Sequence, residues 1–181
     1  MKRIITVIGL VLAVILLGGI AKARAASGTT SVSVAVAPEA SLTVNTVTST
    51  LTESVVGAFA GNFTGTTAMT YKIRTSKSGG TGSITSKVTT EFAPDGGPNV
   101  GTSSTTGDTL TYTCTVAASG TACSGSQTAS LASSTSVATF GADAKSSKAG
   151  DAASVAWTLS NDPAYSTGSY TATVTFTISA A

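Results

Sequence analysis

The side chains that could do chemistry are few, and their types exclude most of it. The chain has no histidine, so Ser-His-Asp and Cys-His nucleophilic sites cannot be built from it. It contains no G-x-S-x-G elbow, no S-x-x-K pair and no G-x-x-x-x-G-K-[ST] loop. Gly79-Gly80-Thr81-Gly82 is glycine-rich, but the residues after it alternate as a strand rather than opening a phosphate-holding helix. The acidic residues are Glu39, Glu53, Glu91, Asp95, Asp108, Asp143, Asp151 and Asp162. Nothing in their spacing pairs two carboxylates as a glycosidase requires. Asp95, Asp108 and Asp162 fall in loop-forming sequence, where carboxylates and carbonyls can hold calcium, but no D-x-D-x-D-G loop accompanies them. Asn62-Phe63-Thr64 fits the glycosylation acceptor pattern. The expectation is a protein that is not an enzyme and needs no cofactor or metal.

Two cysteines remain, Cys114 and Cys123, in TYTCTVAASGTACSG. Without histidine, two thiolates do not complete a zinc site. Their spacing instead allows two antiparallel strands to face each other across a hairpin that turns at Ala118-Ser119-Gly120. A disulfide closing so short a loop stabilises by about 2.5–3 kcal/mol in the chain-entropy treatment. That pairing needs an oxidising compartment, and the start of the chain points to one. Lys2 and Arg3 precede an apolar run from Ile4 to Ile20, and Ala23-Arg24-Ala25 offers small residues for a signal peptidase. Residues 1–25 therefore read as a secretory signal peptide of bacterial type, cut after Ala25. The run is also long enough to serve as an uncleaved anchor. The predicted location is secreted, extracellular or cell-surface, by way of the periplasm if the cell is Gram-negative.

Removing the leader takes Lys2, Arg3, Lys22 and Arg24 with it. Ten basic residues become six against eight acidic ones, a net charge near −2. The six are scattered without aromatic interleaving, so nucleic acid is not an expected partner, nor is a membrane after cleavage. The remaining 156 residues (181 minus 25) suit one domain, residues 26–181. Only 10% of the chain is charged, against roughly 25% in an average globular protein.

Almost every ordered-looking segment alternates with a period of two. Met69, Tyr71 and Ile73 share a face, as do Ile84, Val88 and Phe92. So do Leu110, Tyr112, Cys114 and Val116, and Val155, Trp157 and Leu159. The cleanest run is Tyr170, Ala172, Val174, Phe176 and Ile178, backed by Thr171, Thr173, Thr175, Thr177 and Ser179. Such alternation marks half-buried strands. Shorter strands are expected at 42–47, 54–59, 129–131 and 137–140, and a mobile loop at 94–108. About eight or nine strands with these turns predict an all-β antiparallel sandwich of immunoglobulin-like or pilin-like type. Trp157 is expected to anchor the core between the sheets.

The start of the remaining chain, TTSVSVAVAPEASLTV, sets Val32, Val34 and Val36 on one face of an extended segment that Pro38 interrupts. Two readings are open: the first strand of this protein's own sheet, or a strand meant for a neighbouring molecule. The layout of SVSVAVAPEASLTV at one end and GSYTATVTFTISAA at the other resembles alpha-type chaperone–usher fimbrial subunits and the related spore-coat U-like secreted proteins. The resemblance covers about a sixth of the chain after the leader; a Cys-x8-Cys segment in mid-chain departs from it. It implies an incomplete sandwich whose groove takes an N-terminal strand from the next subunit by β-augmentation. Val32, Val34 and Val36 would be the inserted side chains, with Tyr170 to Ile178 as a wall of the groove. Implied partners are further copies of the chain or another surface protein, together with a periplasmic chaperone. The expected function is structural or adhesive. The alternative is a monomeric secreted module for a glycan or a surface protein, for which Tyr165, in NDPAYSTG, is the expected exposed contact.

Overall fold

The computed structural model describes residues 27–57, 59–100 and 109–181. The leader and its cleavage site, and the second half of the 94–108 loop, lie outside the described residues. Residues 36–181 form one compact unit. Among the described residues there are ten strands and no helix. They are β1 (Glu39–Val44), β2 (Thr52–Glu53), β3 (Phe63–Arg74), β4 (Gly82–Ala93) and β5 (Thr111–Val116), then β6 (Thr121–Ala122), β7 (Gln127–Thr128), β8 (Thr135–Phe140), β9 (Asp151–Leu159) and β10 (Thr171–Ala180).

All pairings are antiparallel, and they make two sheets. One runs β1-β3-β9-β5-β7, with β2 on the edge of β3, and the other runs β10-β4-β8-β6. The expected all-β sandwich is therefore present. Alternation places one face of each long strand inside. Met69, Tyr71 and Ile73 of β3 and Val155, Trp157 and Leu159 of β9 meet Ile84 and Val88 of β4 and Val137 and Phe140 of β8 in one core. Fully burying each large apolar side chain contributes about 1.5–3 kcal/mol. Aromatic contacts run through the centre: Tyr71 lies against Phe140, and Trp157 between Tyr112 and Phe176. Two polar tips are satisfied inside. The Trp157 Nε1–H donates to Thr67 Oγ1 at 2.8 Å, and the Tyr112 hydroxyl sits among Ser86, Thr135 and the Ser136 carbonyl.

Several expectations are corrected. The first strand is Glu39–Val44, after Pro38, and residues 27–38 join neither sheet. The segment 54–59 is not a strand; among its described residues, Gly57 and Phe59 have positive φ, which breaks an extended run. At 129–131 the chain has already left the short β7. The loop expected to be mobile is anchored in its first half. The Glu91 Oε1 accepts the N–H groups of Phe92 and Val100, and Val100 is fully buried. Tyr170 lies over that loop rather than in the core, donating to the Ser166 carbonyl at 2.7 Å.

The disulfide Cys114–Cys123 is formed, with Cα atoms 5.5 Å apart, but not across a hairpin. β5 and β6 belong to different sheets. The chain turns through Ala117–Gly120 and crosses from one sheet to the other, and the disulfide ties the sheets together beside that corner. Gly120 is required there, because a Cβ would lie 2.5 Å from the Phe140 ring. Ser119 fixes the corner further: its Oγ is 2.6 Å from the Tyr71 hydroxyl and donates to Asp151 Oδ2 at 2.7 Å.

Candidate functional site

The feature that stands out is the sandwich edge opposite the disulfide. β1 ends one sheet and β10 ends the other. β10 is ten residues long and pairs only with β4. Among the described residues no strand pairs with its other side, although β1 of the facing sheet lies close to β10, so that edge keeps unpaired backbone donors and acceptors for a chain that comes alongside. The other ends of the two sheets are closed by strands of two residues, β6 and β7, next to the disulfide.

Side chains tell the same story. The inward residues of β4 and β9, such as Ile84, Val88, Val155 and Trp157, are buried. Those of β10, Ala172, Val174, Phe176, Ile178 and Ala180, are only half-buried, as are Ala40, Leu42 and Val44 of β1. All eight pack against the rim of the core. Phe176 is the last ring of the aromatic series, 6.4 Å from Trp157. The sequence of β10, TATVTFTISA, has none of the charges or prolines that usually blunt a sheet edge. Its register with β4 is regular from Val174 to Ala180, with shifts confined to the Thr171–Val174 end.

The second part of the candidate site is the segment 31–37. Val32 is 93% exposed, Val34 85% and Val36 63%. None of the three lies in a strand, so three large apolar side chains on one face have no sheet of their own. The segment is tethered through Pro38. Arg74 fixes that point, because its Nε–H donates to the Ala37 carbonyl at 2.8 Å and its Nη2 pairs with Glu39 at 3.1 Å. The tether is at the end of the sandwich where Glu39 opposes Arg74 and Gly82 opposes Ala180.

Tyr165 does not offer the exposed contact expected of it. The side chain is half-buried and its hydroxyl oxygen is out of solvent. The exposed aromatic is Phe59, 59% exposed, with Val55 and Val56 beside it. Sequence reasoning missed it by taking the apolar run SVVGAF for a strand; Gly57 within it was the signal of a turn.

Among the described residues no group of three or more His, Cys, Asp or Glu side chains is placed to hold a metal ion. Two carboxylates lie below their ordinary titration range: Asp151, held down by the hydrogen bonds from Ser119 and the Ser147 N–H, and Asp143, held down by Lys145. Burial pushes the Tyr71 hydroxyl up. These groups fasten turns and do not converge on one cleft, Asp143 alone lining an open one with Lys145. Compared with known proteins, the chain matches no family model, no curated protein and no solved structure.

Proposed function

We propose that this protein is an extracellular structural or adhesive subunit that assembles by strand exchange. Residues 31–37 of one copy add to β10 of the next, in the manner of pilin-like secreted subunits. The observation that carries the reading is the long, uncharged, half-covered edge of β10 in a chain that also holds an alternating apolar segment outside both sheets. Backbone pairing along β10 supplies affinity, and alternate side chains entering the rim supply register.

The geometry fits. Seven residues at about 3.4 Å each span about 24 Å, against about 34 Å for the ten of β10. In antiparallel pairing Val36, Val34 and Val32 come level with Ala172, Val174 and Phe176. Ala37 then emerges at the Thr171 end of the recipient, while in the donor it is tethered at the Ala180 end. The contact is head-to-tail and does not close on itself, so it propagates into a fibre.

The test compares the chain beginning at Ala26 with one beginning at Pro38, by size-exclusion chromatography and negative-stain electron microscopy. Oligomers or fibres formed by the longer chain and lost on truncation support strand exchange. Two monomers reject it and leave the monomeric binding module as the leading reading.

A further inference from the structure

The charges of the described residues are sorted to opposite ends of the sandwich. Lys72, Arg74, Lys77, Lys145 and Lys148 gather where β3 ends and β9 begins, Arg74 and Lys145 facing each other across an isolated backbone β-bridge. Glu39, Asp143 and Asp151 accompany them, which leaves this end at +2 (five minus three). The other end, where Phe63 opposes Leu159 and Thr171 opposes Ala93, carries Glu53, Glu91, Asp95 and Asp162, a total of −4. The remaining cation, Lys87, lies midway along β4 opposite Thr175.

Each end also has a shape. From the acidic end projects the loop between β2 and β3. Its base is pinned by the Ser54 N–H donating to the Asn62 carbonyl, and Gly61 packs beneath it, where a Cβ would lie 2.5 Å from the Val55 nitrogen. Its tip shows Val55, Val56 and Phe59 to solvent, Val56 at 88% exposure. At the basic end there are two open clefts of about 370 and 310 Å³. The first is lined by Lys72, Arg74 and Lys145 together with Glu39, Ser41 and Ser146, Ile73 itself being buried in the core, and the second contains the tether Val36–Ala37–Pro38; long basic side chains offer aliphatic stems to an apolar partner.

We propose that the apolar tip at Val55, Val56 and Phe59 docks in the basic clefts of a second copy of this chain, with the carboxylates around the tip facing the cations around the clefts. The choice of occupant rests on charge complementarity between the two ends; an anionic lipid surface would repel the same tip. The polarity matches the head-to-tail order of strand exchange, on whose reading this contact rests for its place in a fibre. β2 and β1 occupy the same edge of β3, so the tip stands at the Thr171 end of the β10 groove, where an incoming segment would arrive.

The experiment measures self-association of the chain beginning at Ala26 by sedimentation velocity, for three variants and one mixture. Lys72→Glu/Lys77→Glu takes the basic end from +2 to −2, and Glu53→Lys/Asp95→Lys/Asp162→Lys takes the acidic end from −4 to +2. Each alone should associate about tenfold more weakly than the parent at low salt, a difference of about 1.4 kcal/mol. The equimolar mixture should regain the parent's association, because each contact in an alternating copolymer again joins opposite charges. Phe59→Gly should weaken association similarly without lowering the monomer's melting temperature, since glycine accepts the positive φ of 52° at that position. Parental association in the single variants, or a mixture as weak as its components, overturns the docking. Truncation to Pro38 separates the two ideas. If only strand exchange is wrong, the truncated chain, whose first cleft contains none of the removed residues, still associates and still obeys the charge swap. If only the docking is wrong, association depends on residues 26–37 and ignores the swap.

Discussion

Removing the disulfide by Cys114→Ala/Cys123→Ala should destabilise the monomer by about 2.6 kcal/mol, with the loss confined to one edge of the sandwich. The figure comes from the sequence separation of 9: for a loop of about this length the chain-entropy relation gives roughly 8.7 cal/mol/K, or about 2.6 kcal/mol at 25 °C. With a urea dependence of about 1–3 kcal/mol/M for a domain of this size, the unfolding midpoint should fall by about 1–2.6 M. The architecture adds a location. The disulfide joins the sheets at the corner between β5 and β6, while β1 and β10 lie at the opposite edge. Hydrogen exchange in native buffer should therefore speed up at Thr111–Val116 and Thr121–Ala122 and leave β10 unchanged. A midpoint that does not move, or exchange that rises first in β10, would refute this account of how the sandwich is closed.

Two polar groups give further expected outcomes. Tyr112→Phe removes a buried hydroxyl that receives the Ser86 Oγ–H at 3.0 Å and lies 2.7 Å from Thr135 Oγ1 and 2.9 Å from the Ser136 carbonyl. Leaving those partners short of a bond inside the core should cost about 1–3 kcal/mol in urea unfolding. Asp151 is held below the ordinary carboxylate range by Ser119 and the Ser147 N–H. A group whose folded pKa is depressed contributes stability that is present above its unfolded pKa and lost as pH falls through the folded one. Stability should thus drop on acidification below the ordinary carboxylate range, and Asp151→Asn should flatten that part of the profile.

The strands were legible because alternation reports which face a residue takes. Val155, Trp157 and Leu159, and Val174, Phe176 and Ile178, alternate as the structure places them. Alternation does not report whether a strand has a neighbour on each side. Val32, Val34 and Val36 therefore read as well as a first strand as the EASLTV segment that takes that position, and the edge status of β10 is invisible in its sequence. Leu42 succeeds because it lies opposite Tyr71 in the β1–β3 register, a contact between residues too distant for local pattern to reveal. The cysteines show the same limit. Their spacing was compatible with a hairpin, but whether the chain returns to the same sheet after Gly120 depends on packing against Phe140. Tyr165 and Phe59 differ from their sequence reading for a local reason: the turn around Phe59 replaces the expected strand and leaves its ring in solvent, while Tyr165 in the 160–170 loop is half-buried.

The most direct measurement of the central claim is hydrogen exchange on the chain beginning at Pro38, which retains nearly all of the compact unit 36–181, with and without a synthetic peptide of residues 27–37. Strand addition predicts slowed exchange at alternate amides of Thr171–Ala180, in the unpaired set that faces away from β4, with a peptide bearing Val34→Asp at least about tenfold weaker in producing it. No protection at β10 with the parent peptide at saturating concentration, or protection indifferent to Val34, would contradict the claim that this edge receives that segment.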